Sequence, residues 1–292
     1  MSCCDGAVTT PDIDVAELCS VAERLATEAA EFVRLRRPQV FGAGRGNPGH
    51  AVRSKSTHTD PVTVVDTEVE QLLRARLAQV RPGEPVLGEE GGGPPRGADD
   101  AVMWVLDPID GTVNFMYAIP AYAVSVAAQV GGASVAGAVA DVSGGRVYSA
   151  GLGLGATVRD PDGHREVLRC NAIDDLSVAL VGTGFGYSPD RRAAQAALLA
   201  DVLPHVRDIR RIGSAALDLC MVAAGQLDAH YEHGLNRWDW AAGALIAAEA
   251  GAAVHLPGED TAALTLVAAP GVAAGLRDRL ERLGAHVVLP RR

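Results

Sequence analysis

Acidic side chains recur at the places where this chain is predicted to turn. They are Asp66, Glu89, Glu90, Asp107, Asp110 and Asp239. Carboxylates that lie near one another repel, and they are hard to keep ionised at neutral pH without cations. Mg²⁺ suits such a set, because it binds a few carboxylates together with waters and the phosphate of a substrate. The set therefore indicates a site for hard divalent cations.

The sequence DPIDGT carries the most compact part of this set. Asp107 and Asp110 directly follow a predicted strand, and the proline between them fixes the backbone. Both side chains and the carbonyl of Ile109 could therefore point into one site. Gly111 and Thr112 then begin a predicted helix, whose free N–H groups can hold a phosphate.

This equipment suits the metal-assisted hydrolysis of a phosphate ester. Two ions roughly 4 Å apart would orient a water, neutralise the phosphate and stabilise the leaving alkoxide. Each part alone has a simpler interpretation. The Glu-Glu-Gly-Gly segment could be a solvated loop, DPIDG an aspartate-capped turn, and Asp66 or Asp239 an acid at the start of a helix. The presence of all the parts, in this order and spacing, favours the catalytic interpretation.

The composition is that of a globular protein whose main partner is not nucleic acid. Of the 292 residues, 48% are hydrophobic and 21% are charged, and the formal net charge is −10, whereas phosphate backbones attract basic surfaces. The five cysteines form no repeated C-x-x-C pair that would indicate zinc, so reduced thiols are expected. The N-terminal residues show no basic region followed by an apolar core, so we expect no signal peptide and a cytoplasmic location.

Hydrophobic periodicity predicts a layered protein of mixed α and β structure. Residues 1–11 are expected to be a disordered tail. Residues 12–290 are expected to form a single catalytic domain, with an α+β half over about 12–170 and an α/β half over about 171–290. The long apolar stretch at 121–142 is interrupted by two glycines, so it is predicted to be two strands and not a membrane helix.

Element boundaries follow from capping and breaking residues. Asp14 is predicted to cap the first helix, and Pro38 to end it. A second helix is expected from about Asp66 to Val80. A strand over 102–106 leads to the aspartates of DPIDGT, and a single strand–helix pair is expected to finish the chain.

Three segments carry a resemblance to a known family. GEEG, WVLDPIDGTVNF and WDWAAG closely resemble the inositol monophosphatase family, and KSTHTDPVTVVD at 55–66 and the segment at 212–243 extend the similarity to roughly residues 14–285. The resemblance implies a five-layered α-β-α-β-α sandwich, generally dimeric. It also implies a Mg²⁺-dependent, lithium-sensitive phosphomonoesterase that hydrolyses inositol 1-phosphate through a metal-activated water.

The resemblance also implies roles at matching positions. Two to three Mg²⁺ ions would be held by Glu89, Asp107, the Ile109 carbonyl, Asp110 and Asp239. The catalytic residues would be Asp66, Thr112 and Glu89, with Thr112 and Asp66 positioning or deprotonating the attacking water. The substrate would contact Asp110, Gly111, Thr112, Gly213, Ser214, Ala215, Glu232 and Asp239. Lys55 would lie near the metal site and balance its charge.

Other interpretations stay open on the sequence alone. Relatives with the same metal site act on histidinol phosphate, fructose 1,6-bisphosphate or 3′-phosphoadenosine phosphates. Some bacterial members can also act as RNA-polymerase-associated regulatory partners, a role for which the metal site would be dispensable. The histidines near the motifs, His50, His58, His230 and His233, are expected on the surface or in loops, since magnesium sites favour oxygen ligands.

Overall fold

The structure is a computed structural model that describes residues 13–42, 52–55, 61–95, 97, 100–257 and 263–284. The predicted tail at 1–11 lies outside the described residues, as do His50 and His58.

Two helices form the first layer. Helix α1 spans Val15–Phe41 and packs beside α2, Val64–Val80. Asp14 caps α1 as predicted and accepts the N–H of Glu17 at 2.9 Å. The prediction that Pro38 ends this helix is wrong. Pro38 lies in the last turn, where its carbonyl still accepts the N–H of Gly42, so the missing proline donor costs one bond without stopping the helix.

A seven-stranded sheet forms the second layer. Before it in the chain, β1 (Val52–Ser54) and β2 (Pro61–Thr63) form a separate two-stranded sheet. The strands of the seven-stranded sheet follow one another in space in the same order as in the chain. They are β3 (Val86–Gly88), β4 (Val102–Asp110), β5 (Ala123–Val130), β6 (Ala133–Asp141), β7 (Val147–Gly151), β8 (Gly155–Arg159) and β9 (Arg165–Val167). Within this sheet, β3 and β4 pair in parallel and the other described neighbours pair antiparallel. The apolar stretch at 121–142 supplies β5 and β6, as predicted. Strand β4 runs four residues beyond its predicted end, so Asp107 and Asp110 lie within it, across a register irregularity, and not after it.

The remaining layers follow in the C-terminal half. The short helix α3 is Thr112–Tyr117, and the later elements are α4 (Pro189–Val202), α5 (Ala215–Ala223), α6 (Arg237–Glu249), α7 (Pro270–Gly284), β10 (Leu180–Thr183), β11 (Asp208–Arg210), β12 (Ala229–His233), β13 (Ala253–His255) and β14 (Leu264–Ala268). Two strands, β13 and β14, therefore precede the last helix where one was predicted. The five strands pair in the order β11-β10-β12-β14-β13.

The middle helices join the two sheets. Helices α5 and α6 pack against β5 and β6 on one side and against β12–β14 on the other, while α4 and α7 cover the outer face of the five-stranded sheet. The order of layers is α1/α2, sheet, α5/α6, sheet, α4/α7, which confirms the predicted five-layered sandwich. No described helix has both the length and the low polarity needed to cross a membrane.

Candidate active site

The end of β4 brings two aspartates to the junction of the two halves. Asp107 is buried, with 1% of its surface exposed, and its Oδ1 accepts the N–H of Ile109 at 3.1 Å. The carbonyl of Ile109 in turn accepts the hydroxyl of Thr112 at 3.0 Å. One lone pair of that carbonyl therefore remains for another ligand.

Asp110 joins β4 to the start of α5. Its Oδ2 accepts the hydroxyl of Ser214 and the N–H of Ala216, both at 2.6 Å. This approach requires glycine on both sides. Gly111 (φ 92°) and Gly213 (φ 95°) both occupy the left-handed region, and a Cβ on Gly111 would lie 3.0 Å from the carbonyl oxygen of Gly213.

The first turn of α2 faces the first turn of α3. Oδ1 of Asp66 lies 3.1 Å from the hydroxyl oxygen of Thr112, a pair that the family resemblance implied. The other carboxylate oxygen of Asp66 accepts the N–H of Thr63 at 2.9 Å and also the hydroxyl of Thr63. Asp66 is therefore fixed by its own helix cap, in addition to pairing with Thr112.

Glu89 and Glu90 lie in the turn that follows β3. Nζ of Lys55 donates to Glu89 at 2.8 Å and to Glu90 at 2.5 Å. Burial alone would lower the pKa of Lys55, but the two carboxylates raise it, so this amine stays charged. Its predicted place beside the acidic cluster is confirmed by this geometry.

Asp239 approaches the cluster from α6. It lies at the third position of the helix, where its carboxylate accepts the N–H of Asn236 at 2.6 Å in a capping box. The cap fixes the side chain at the helix start, on the side that faces Glu89 and Asp110, whose charges act on it.

The electrostatics show that these acids share one region. Burial, followed by the charges of Glu89, Asp110 and Asp239, raises the pKa of Asp107 well above its ordinary value. Burial raises the pKa of Asp66 to about 6, and the pKa of Asp110 likewise to about 6, although the Ser214 hydroxyl opposes the shift for Asp110. Burial and neighbouring negative charge, also from Glu89, raise the pKa of Asp239. Mutual repulsion of this kind favours the binding of cations.

The donor set fits Mg²⁺, because it offers buried carboxylate oxygens and one carbonyl oxygen, which are hard ligands. No three of the described site carboxylates bring oxygens within 4.8 Å of one another. Among the described residues, the only group with three ligand atoms at that spacing is Asp160, Asp162 and His164, in an exposed turn. Ligands that are shared between two ions do not have to converge on a single point.

Glu70 is a residue of the site that the sequence analysis missed. Its side chain is 3% exposed, and its carboxylate accepts the N–H groups of Glu90 at 2.7 Å and Gly91 at 2.8 Å. The signal was available, because Glu70 follows Asp66 by four residues and so shares its face of α2. An acid at that spacing from a functional acid on a helix was a candidate to reach the same site.

A second cluster of buried polar side chains lies on the C-terminal side of the site. Glu232, at the end of β12, has a pKa that burial raises to about 7, with Arg211 opposing the shift and Asp110 adding to it. His230 lies beneath it with no exposed surface, Nε2 being 3.7 Å from Glu232 and Nδ1 3.7 Å from Asp218. The surface or loop position expected for His230 is wrong, since alternate residues of a paired strand face the same buried layer.

The structure thus gathers the predicted residues around the ends of β4 and β12 and the starts of α2, α3, α5 and α6. Gly213, Ser214 and Ala215 adjoin Asp110, and the N–H groups of Ala215 and Ala216 bond to its carboxylate. Glu232 is near enough for its charge to act on Asp239. His233, at the end of β12, is half-buried, and burial lowers its pKa to about 4.

Comparison with known proteins shows the family to which the chain belongs. The sequence profile of the inositol monophosphatase family matches residues 14–288. The protein named inositol-1-monophosphatase of Mycobacterium leprae is 67% identical over 286 residues, covering 94% of this chain and 97% of the relative. The solved structure of Mycobacterium tuberculosis SuhB matches with a TM-score of 0.80 and 59% identity, over 93% of this chain and 98% of that one.

A more distant relative carries a different name. Nus factor SuhB of Pasteurella multocida is 38% identical over 201 residues, which is 68% of this chain and 73% of the relative. With the family profile spanning nearly the whole chain and the acids gathered in one site, this protein is a phosphatase that belongs to the inositol monophosphatase family.

Proposed function

We propose that this phosphatase hydrolyses inositol 1-phosphate and related polyol monophosphates to the free polyol and phosphate, and that it depends on Mg²⁺. One observation carries the proposal. Glu89, Asp107, Asp110 and Asp239 come from three separate elements, yet the charges of Glu89 and Asp110 act on the buried carboxyls of both Asp107 and Asp239. The names of two relatives that are 67% and 63% identical support the choice of inositol 1-phosphate.

The acids Glu89, Asp107, Asp110 and Asp239 and the Ile109 carbonyl would hold two to three Mg²⁺ ions. Bound Mg²⁺ supplies positive charge for the phosphate and lowers the pKa of a coordinated water. The chain itself supplies the proton acceptor. The hydroxyl of Thr112 donates its hydrogen bond to Asp66 or to the Ile109 carbonyl, which leaves an oxygen lone pair of Thr112 to accept a hydrogen bond from the attacking water. As the water attacks, its proton would pass to the Thr112 oxygen while the hydroxyl proton of Thr112 passes to the carboxylate of Asp66, which is the final acceptor.

Substrate recognition would divide between the two halves. The N–H groups of Gly111 and Thr112 would receive the phosphate at the start of α3. Glu232 offers two acceptor oxygens for vicinal hydroxyls, and its side chain is 13% exposed, so it borders open space. Gly213, Ser214 and Ala215 would line the space between Asp110 and the polyol.

The test is phosphate release from inositol 1-phosphate, measured with and without Mg²⁺. Asp107→Asn removes one negative ligand from the centre of the cluster and is expected to lower kcat/KM by about 10³-fold. Asp208→Asn is the matched control, because Asp208 is half-exposed and bonds to Arg210 and to the N–H of Ile209, two residues of its own strand. Release that continues without Mg²⁺, or that survives Asp107→Asn, would contradict the proposal.

Two other functions remain as alternatives. Histidinol phosphate and fructose 1,6-bisphosphate would be tried next if inositol 1-phosphate is not cleaved. The relative named Nus factor supports a regulatory role beside RNA polymerase, which would not require the metal site. Binding of RNA polymerase by Asp107→Asn at the wild-type affinity would support that role.

The family resemblance also supports further parts of the proposal. We expect a homodimer, inhibition by lithium at a Mg²⁺ position and a cytoplasmic location. Residues 12–290 are proposed to form one catalytic domain, because both sheets pack against the same helices, α5 and α6. Light scattering and a lithium titration of the activity test the first two points.

A further inference from the structure

Glu70 makes an unusually complete set of bonds beneath the turn that carries Glu89. One carboxylate oxygen accepts the N–H of Glu90 at 2.7 Å, and the other accepts the N–H of Gly91 and Nε of Arg74, both at 2.8 Å. The side chain is 3% exposed. A buried carboxylate with three donors, one of them charged, is a strongly held group.

The turn is shaped to receive this carboxylate. A Cβ on Gly88 or on Gly91 would overlap the carboxylate of Glu70, so both glycines are needed for the close approach. Arg74 completes the contact, because its guanidinium also donates to the carbonyls of Val86 and Gly92. Two side chains of helix α2 therefore hold the turn: Glu70 accepts backbone N–H groups of the turn, and Arg74 donates to backbone carbonyls on either side of it.

Two acids on one face of α2 serve opposite sides of the site. Asp66 bonds to Thr112, and Glu70, one turn later, bonds to the backbone on either side of Glu90. If Glu70 served only as a helix-surface partner of Arg74, one oxygen would suffice. Instead, both oxygens accept backbone N–H groups of the turn next to Glu89.

We propose that Glu70 is a positioning residue that fixes the turn of Glu89 and thereby sets the Mg²⁺ affinity of the site. This inference rests on the proposed function, in which Glu89 is a metal ligand. Partners that orient metal ligands alter metal affinity by about 10–100-fold when they are removed.

The test is isothermal titration of Mg²⁺ into the full chain carrying Glu70→Gln. Glutamine keeps one acceptor oxygen but places an NH₂ group against the second N–H of the turn. The expected result is a Kd for Mg²⁺ about 10–100-fold weaker than in the wild type. The Mg²⁺ concentration for half-maximal phosphatase activity should rise equally, with kcat recovering at saturating Mg²⁺.

Glu68→Gln is the matched control, because Glu68 lies on the same helix and pairs with Arg36 at 2.7 Å. It should leave the Kd unchanged. If Glu70→Gln does not fold, Glu70→Asp repeats the test with both oxygens kept and the reach shortened by one methylene. An unchanged Kd in a folded Glu70 variant overturns the inference alone, whereas a wild type that binds no Mg²⁺ overturns the proposed function as well.

Discussion

Two buried carboxylates flank the site and are held in opposite ways. Glu70, on the side of the seven-stranded sheet, accepts two backbone N–H groups and the guanidinium of Arg74. Glu232, on the side of the five-stranded sheet, has His230 as a neighbour at 3.7 Å, beyond hydrogen-bond distance. Beneath it, both ring nitrogens of His230 and Oδ1 of Asp218 are buried without a hydrogen-bond partner.

The difference separates preorganisation from recognition. The hydrogen bonds of Glu70 fix the turn beside it. A set of ligands that is already fixed needs little reorganisation when a cation binds. Unsatisfied buried groups cost stability, so Asp218 and His230 weaken the fold on the side of Glu232. We therefore expect substitutions on the two sides to act on different quantities.

The largest expected contrast is in stability. Glu70→Leu should lower the free energy of unfolding by about 3–5 kcal/mol, because it leaves the N–H groups of Glu90 and Gly91 and the Nε of Arg74 without the acceptor that they share. His230→Leu replaces an unpartnered ring by an apolar side chain and should change stability by less than about 1 kcal/mol. Urea unfolding of both variants measures this, and equal losses would remove the proposed distinction.

A smaller contrast concerns the glycines under each carboxylate, since a Cβ on Gly88 would overlap Glu70 and one on Gly184 would overlap Glu232. Gly88→Ala should cost about 2 kcal/mol of stability, because Glu70 cannot move away without losing its bonds. Gly184→Ala should cost less than about 1 kcal/mol, because Glu232 can turn outward, but should raise KM for inositol 1-phosphate by about 10-fold. Urea unfolding of both variants measures the stability losses, and steady-state kinetics measure KM. A stability loss for Gly184→Ala as large as that for Gly88→Ala would show that Glu232 is held as firmly as Glu70.

The smallest effect is a pH dependence from His230. Burial lowers its pKa to about 3, below the ordinary value of 6.5, so the unfolded chain binds the proton more readily. Its contribution to stability is complete above pH 6.5 and is lost as the pH falls towards 3. Between pH 7 and 5.5 the wild type should lose about 1 kcal/mol relative to His230→Leu, in which the buried carboxyls are unchanged. Urea unfolding of both proteins at the two pH values measures this. An equal change in the free energy of unfolding for the wild type and His230→Leu would contradict the prediction.

Local patterns were sufficient where a residue's role is set by its own chain neighbours. The cap by Asp14, the strand pair across Gly131-Gly132 and the helix start at Thr112 were all predictable from such patterns. The end of the first helix was not, because a proline in the last turn removes only one bond. The end of β4 was not, because pairing with β5 resumes after Asp107 and extends the strand to Asp110.

By itself, the sequence determined the layered class of fold and the acidic set, because motif order and hydrophobic period are local and survive without coordinates. The pairing of Thr112 with Asp66 came from the family resemblance. Only the tertiary structure decided which buried groups are satisfied. The bonds from Glu70 to the turn of Glu89 join residues about 20 positions apart in the chain. The position of His230 between two carboxylates depends on which face of its strand is buried. Burial and partner distance are properties of the packed chain, and they determine whether a polar side chain stabilises the fold or remains available to a ligand.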